Sequence, residues 1–157
     1  MAVRAADEYA HDYTIGVKVV EKALMNIAMG KVASSAEEAR TMGIIRKGDR
    51  IAVNIQHRIK EAKAAALELA EAGYTPKAPR KDIPVLGKNA LATLYAGISG
   101  LHYGHYASAH DVKIAQKTAF VLCGGDITGE GTLVSEQYLL DLEREAFLSL
   151  CGERKTL

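Results

Sequence analysis

The longest amphipathic stretch of the chain, residues 49–74, reads DRIAVNIQHRIKEAKAAALELAEAGY. Its apolar side chains recur at steps of three and four residues and therefore share one helical face: Ile51, Ile55, Ile59, Ala62, Ala66 and Leu69. Asp49 can accept a backbone N–H as the N-cap, and Gly73 can end the helix in a left-handed conformation. The pattern predicts one long helix over residues 49–73, around which the rest of the chain is organised.

The segments before this stretch also show helical patterns. Residues 3–9 look like the end of a helix, and a second helix is predicted from Thr14 to about Gly30. Its apolar positions lie on one face: Val17, Val20, Leu24 and Ile27. A capping box then opens a short third helix that ends at Gly43, with Ser34 paired to Glu37 or Ser35 paired to Glu38.

The segment after residue 73 contains Pro76, Pro79 and Pro84, which remove backbone donors and favour extended structure. We predict a linker over residues 74–87. Three further helices follow: one over residues 89–102, one capped by Ser108 and stopped by Gly124 and Gly125, and one that begins at Thr132 or Ser135. No strand is expected, so the predicted fold is all-α, divided into residues 1–73, the linker 74–87 and residues 88–157.

Composition excludes several classes of function. The net charge of +1 gives no general attraction to nucleic acid or anionic membranes. No stretch is apolar enough to span a bilayer, and the N-terminus lacks the apolar core of a signal peptide. Cys123 and Cys151 lack the spacing of metal ligands, and two buried, reduced thiols in the cytoplasm are favoured over a disulfide.

Two clusters invite a metal hypothesis. His102, His105 and His110 lie close in the sequence, but the region offers no cysteine and one acid, so a polar helix end is favoured over a zinc site. Residues 126–131, DITGEG, resemble the start of a calcium loop, yet Gln137 stands where such a loop needs a glutamate. A turn between two helices is the favoured interpretation, and we predict no metal ligands.

Glycines suggest two further possibilities. Gly87 and Lys88 at a helix start could hold a phosphate through free N–H groups, although a solvated lysine is favoured. Gly97, Gly100 and Gly104 lack the spacing of a dinucleotide fingerprint, and the first two are expected to permit close helix packing. No G-x-S-x-G, Walker or H-E-x-x-H motif is present, so no catalytic residue is predicted and cofactor-binding residues stay unassigned.

Several motifs together resemble a known family. Residues 31–49, KVASSAEEARTMGIIRKGD, are similar to the helical region that follows the catalytic core of crotonase-superfamily proteins, the enoyl-CoA hydratases and isomerases. Further motifs resemble the bacterial multifunctional 3-hydroxyacyl-CoA dehydrogenases of fatty-acid β-oxidation: IPVLG at residues 83–87, His110 with Asp111, VLCGGD at 121–126 and LLDLEREAF at 139–147.

The resemblance implies a function that the residues alone do not. It makes residues 1–73 the C-terminal helical part of a crotonase-like domain and residues 88–157 a helical extension. The family's NAD-binding motif, dehydrogenase histidine and crotonase acid/base position have no counterpart here. We therefore expect a C-terminal fragment, inactive alone, that helps to cover an acyl-CoA site and to form homo-oligomer contacts, while NAD binds elsewhere in the parent protein. The alternative is a non-catalytic helical interaction module.

Overall fold

The computed structural model describes residues 1–9 and 12–153, and it confirms the mostly helical prediction. In chain order, the elements are α1 (Ala2–Tyr9), α2 (Tyr13–Ala28), α3 (Ala36–Thr41), a 3₁₀ turn (Ile55–His57), α4 (Arg58–Glu71), β1 (Ile83–Val85), α5 (Gly87–Tyr103), α6 (Ala109–Leu122), β2 (Thr132–Val134) and α7 (Glu136–Cys151). Within the described residues, no helix is both long and apolar enough to cross a membrane.

The expectation that the chain has no strand is wrong. β1 and β2 pair antiparallel, with Pro84 opposite Leu133. Each strand has three residues, too few for a period-two pattern to stand out, and β1 contains a proline. The last four residues of the predicted extension, 154–157, lie outside the described part of the chain.

Side-chain caps start α3, α6 and α7 where the sequence predicts them. Ser35 accepts the Glu38 N–H at 3.1 Å, while the Glu38 carboxylate accepts from the Ser34 N–H at 2.6 Å. Ser108 and Asp111 form a complete capping box on α6. Ser135, rather than Thr132, caps α7. These interactions are local, so spacing alone is enough to find them.

The helix observed in this stretch is shorter than the one that the sequence pattern predicts over residues 49–73. The carboxylate of Asp49 accepts the Arg46 N–H at 2.7 Å and closes a turn instead of capping a helix. Asn54 then caps the 3₁₀ turn through the Gln56 N–H, and α4 begins only at Arg58. The C-terminal prediction is confirmed, since Gly73 follows the helix with φ +70°.

The prediction that this stretch organises the fold is also wrong. No residue of α4 is buried, and Ile59 and Leu69 on its apolar face are 72% and 52% exposed. The core is formed instead by α1, α2, β1, α5, α6, β2 and α7. An amphipathic pattern predicts that a face is apolar, but it does not say which element covers that face.

The core draws on residues from both sides of the predicted linker. α2 packs on α6, α5 packs on α6, and α1 packs on both α2 and β1. Within residues 74–87, the first part is exposed, whereas Ile83, Val85 and Leu86 are buried. Within the predicted linker, the chain enters the core at Ile83.

Polar contacts of Tyr9 and Asp7 hold α1 against β1 and the residues just before it. The buried Tyr9 hydroxyl donates to the Pro84 carbonyl at 2.5 Å. Arg80 forms ion pairs with Asp7 of α1 and with Asp82. The Arg80 carbonyl accepts the Glu136 N–H at 2.8 Å, which ties the same residue to the start of α7. Residues about seventy positions apart in the chain are thus joined at one end of the core.

The end of α6 lies directly against β1. Gly124 has φ +84°, and a Cβ at this position would lie 2.5 Å from the Cβ of Val85. Because glycine alone combines this backbone conformation with no side chain, the contact between α6 and β1 requires glycine here.

We predict that Gly124→Ala destabilises the protein much more than Gly131→Ala. Gly131 also has a positive φ, of +71°, but nothing lies within 4 Å of its missing Cβ. Gly131→Ala should therefore cost only backbone strain, about 1–2 kcal/mol. Gly124→Ala adds overpacking against Val85, about 1–3 kcal/mol more. Urea unfolding of both variants measures the difference, and equal losses of stability would contradict the close contact.

We also predict loss of stability at alkaline pH. Burial raises the pKa of Tyr9 from 10.0 to about 12 and that of Cys123 from 9.0 to about 12. A raised folded-state pKa means that the folded protein holds these protons more tightly, so their contribution is intact below pH 9 and is lost between about pH 9 and 12. Unfolding followed by circular dichroism should show this decline. Tyr9→Phe should make it shallower, and an unchanged slope would contradict the role of Tyr9.

Candidate functional site

An apolar groove lies between α1, α2, α6 and α7. Its volume is about 490 Å³, within the range of roughly 300–1,000 Å³ found for ligand sites. The walls are mainly aliphatic side chains with one aromatic ring, and the principal ones are Val3, Ile27, Ile114, Val121, Leu139, Leu140, Phe147 and Leu150. Phe147 is 64% exposed, so one wall presents a large apolar ring to solvent.

The groove exists because α6 and α7 each carry two apolar faces. Ala115, Ala119 and Leu122 of α6 enter the core, while Ile114 and Val121 point into the groove. In α7, the Tyr138 hydroxyl donates to the Gly124 carbonyl at 3.1 Å and fixes the first turn against α6. This second face of α6 is not predicted from the sequence, although the spacing of Ile114 and Val121 is helical.

Few of the side chains that line the groove are polar. Lys117 lies on α6 and Glu143 on α7. Burial, with a smaller effect of Arg4, lowers the pKa of the Met1 ammonium, and Glu143 partly offsets this. Thr118 already donates to the Ile114 carbonyl at 2.9 Å. This arrangement suits binding of an apolar group, because it offers no paired nucleophile and base.

The start of α5 does not offer free amides to a phosphate. The Gly87 N–H donates to the Cys123 carbonyl at 3.0 Å, and the Lys88 N–H donates to the Ile127 carbonyl at 2.8 Å. The Lys88 ammonium pairs with Asp126 at 3.0 Å. The first two amides of the helix are therefore occupied by the chain itself.

The same geometry bears on NAD, the cofactor that the resemblance implies. β1, Gly87 and α5 form a strand–turn–helix, the arrangement that carries a dinucleotide fingerprint elsewhere. Here, however, the amides that would face a pyrophosphate are occupied, and Gly97 and Gly100 lie inside the helix. These residues do not fit NAD, so we assign them no part in hydride transfer.

The loop over residues 126–131 joins α6 to the strand β2, whereas the sequence predicts a turn between two helices. Asp126 faces Lys88, and the Glu130 carboxylate accepts from the Asn89 side-chain amide at 2.9 Å. Thr132 donates to the Gly129 carbonyl at 2.7 Å. The loop's two acidic side chains thus bind the first turn of α5, and this accounts for them without a calcium ion.

The histidines lie at the end of α5 and the start of α6. The His102 ring lies with Nδ1 3.1 Å from the Ala107 carbonyl, and His105 has φ +60° in the intervening turn. Within the described residues, no group of three or more histidine, cysteine or acidic side chains is placed to hold a metal ion.

The expected close packing at Gly97 and Gly100 is wrong. Nothing lies within 4 Å of a Cβ built at either glycine, and both are exposed. Close approach occurs instead at Gly16 of α2, where a Cβ would lie 2.8 Å from Leu86. Small residues permit close packing, but the sequence does not show which of them another element approaches.

The two cysteines lie in different environments. Cys123 is fully buried at the end of α6, whereas Cys151 at the end of α7 is exposed, so the expectation of two buried thiols is wrong for Cys151. Both are free thiols in the structure. Burial raises the pKa of Cys123 to about 12, which keeps it protonated and unreactive at neutral pH.

We predict that a thiol reagent labels one cysteine in the folded protein and two after unfolding. Cys151 should react at once because it is exposed, and Cys123 should react only when the core opens. Mass spectrometry of labelled protein counts the adducts, with Cys151→Ser as the control that should remain unlabelled when folded. Rapid labelling of that variant without denaturant would contradict burial of Cys123.

No family model and no solved structure matches this chain. Among curated proteins, a probable 3-hydroxyacyl-CoA dehydrogenase of Bacillus subtilis (strain 168) is 44% identical to it over 135 residues. The matched region covers 86% of this chain but 17% of the Bacillus protein, which is therefore much longer. The chain is thus similar to one part of a 3-hydroxyacyl-CoA dehydrogenase, as its motifs predict.

Proposed function

We propose that this chain serves a 3-hydroxyacyl-CoA dehydrogenase of fatty-acid β-oxidation as a helical, non-catalytic part in the cytoplasm. The observation that carries the proposal is the 44% identity over 86% of the chain to the Bacillus protein. In this proposal, NAD and the reacting groups belong to segments of the dehydrogenase that have no counterpart among these residues. We further propose that the same dehydrogenase contains a crotonase-like part with hydratase or isomerase activity.

The chemistry of the described residues supports a non-catalytic role. The groove is apolar, and the acidic side chains nearest α5 are engaged by Lys88 and Asn89. Burial raises the pKa of the Cys123 thiol to about 12, so this thiol stays protonated at neutral pH. An enzyme acting on acyl thioesters needs a preorganised donor pair and a general base, and we propose that other segments of the dehydrogenase supply both.

A helical part can still contribute to catalysis by covering the substrate. Excluding water from an acyl-CoA site strengthens the electrostatic interactions of the groups that polarise the thioester. It also gives the acyl chain an apolar surface, worth about 0.8 kcal/mol for each buried CH₂. We propose that α5, α6 and α7 provide such a surface together with subunit contacts.

The alternative is a helical interaction module without a link to acyl-CoA. One observation favours it: α4 and the groove both expose apolar side chains, and surfaces of this kind commonly bind other proteins. The two proposals differ in whether the natural protein that contains this sequence uses NAD and CoA thioesters.

The test is to purify that natural protein from its source by an affinity tag and to measure NADH formation with a 3-hydroxyacyl-CoA. We expect turnover by the natural protein and none by the 157-residue chain alone. An acyl-CoA without the 3-hydroxyl group is the control substrate and should give no NADH. If the natural protein neither binds CoA thioesters nor reduces NAD, the dehydrogenase proposal fails and the interaction module takes its place.

A further inference from the structure

We infer that residues 31–79 form a movable arm that opens while the core stays folded, and that the side chains of Arg4, Lys22 and Asn26 form the latch that holds this arm closed on α1 and α2. The arm carries α3 and α4. Its motion is tested without acyl-CoA or NAD, so the arm can fail its test while the dehydrogenase proposal stands.

The arm lies outside the core. No residue from 29 to 82, a range that the structure describes in full, is buried, and none of the apolar side chains in this range packs against the core cluster. Burial of apolar surface is the main interaction that ties an element to a protein core. Segments that lack it open at a much lower free energy than the core does. The arm therefore depends on other contacts to stay in place.

Those contacts are made to the backbone carbonyls at the end of α3. Three side chains of α1 and α2 donate to four consecutive carbonyls: Lys22 to Thr41 at 3.1 Å, Asn26 to Met42 at 3.3 Å, and Arg4 to Gly43 at 3.0 Å and to Ile44. The last carbonyls of a helix have no partner within it, and cationic side chains bind favourably there. Because an exposed hydrogen bond replaces one to water, its net contribution is small. The latch thus places the arm without tying it to the core as firmly as apolar packing would.

Both ends of the arm are fixed, so opening is a hinge motion. At the start, the Lys31 N–H donates to the Asn26 carbonyl at 3.0 Å, and Gly30 has φ +56°. At the end, the Glu136 carboxylate accepts the Arg80 N–H at 3.3 Å, and the Arg80 carbonyl accepts the Glu136 N–H at 2.8 Å. The hinges are therefore Gly30, where glycine permits a wide range of backbone angles, and the exposed segment just before Arg80.

Contacts within the arm let it move as one piece. Arg40 of α3 donates to the Asp49 carbonyl at 3.0 Å, which joins α3 to the turn that follows it. Arg50 forms an ion pair with Glu68 of α4. These polar contacts connect α3, the turn and α4 in sequence. Opening of the latch therefore displaces both helices together and uncovers the three latch side chains on α1 and α2.

The test measures the distance between two spin labels in the 157-residue chain, one on the native Cys151 of α7 and one on a Lys47→Cys variant of the arm. Both positions are exposed, whereas Cys123 is buried and stays unlabelled. Arg4→Met and Lys22→Met each keep an unbranched side chain but remove its donor. We expect each to raise the fraction of long distances about threefold, since the loss of one hydrogen bond shifts a two-state equilibrium by about that factor.

Two variants of α2 serve as controls. Lys18→Met removes the same charge one turn earlier, from a residue that forms no hydrogen bond or ion pair with the described residues, and it should leave the distances unchanged. Lys22→Arg keeps a donor in the latch and should also preserve them. Hydrogen exchange of the α6 amides reports on the core and should not change in any variant.

Three outcomes would overturn the inference. Unchanged distances in the double variant Arg4→Met, Lys22→Met would mean that these side chains do not hold the arm. Faster exchange of the α6 amides in parallel with the longer distances would mean that the arm opens only when the core unfolds. An equal response to Lys18→Met would mean that net charge, and not the latch, sets the position of the arm.

Discussion

The fold depends on the contact between the end of α6 and β1. Gly124 lets the backbone turn directly against Val85, and the Cys123 carbonyl accepts the Gly87 N–H that starts α5. Tyr138 of α7 bonds to the Gly124 carbonyl, and Tyr9 of α1 bonds to Pro84 within the same strand. Four elements are therefore positioned by a few residues around one glycine, and a side chain there would displace all of them.

The parts of the fold that follow from neighbours in sequence could be predicted. Ser35, Ser108 and Ser135 cap their helices because a hydroxyl three residues ahead of a free N–H needs no tertiary context. The core stripes of α5 and α6 follow equally from their period. Gly73 and the glycine pair after α6 end their helices for the same local reason.

The parts that depend on distant partners could not be predicted. The face of α4 is as regular as that of any core helix, yet it is exposed, because an apolar pattern does not specify which surface covers it. β1 falls within the predicted linker because three residues, one of them a proline, gain strand structure only from pairing with β2 about fifty residues later. The groove is not predicted for a related reason: its walls come from second apolar faces of α6 and α7, beside the faces that enter the core. The similarity to a dehydrogenase, by contrast, rests on residue identity and needed no packing information.

The segment between α2 and β1 can change in length at little cost to the stability of the core. Residues 29–82 leave the core and return to it, and Arg80 near the end of this segment pairs with Asp7 of α1. The entropy of closing such a loop grows only logarithmically, so that doubling its length costs about 0.6 kcal/mol. Related chains can therefore lengthen, shorten or replace α4 while they keep the same core. Variation in length among relatives should concentrate in this loop, and the helix that it carries can diverge independently of the fold that anchors it.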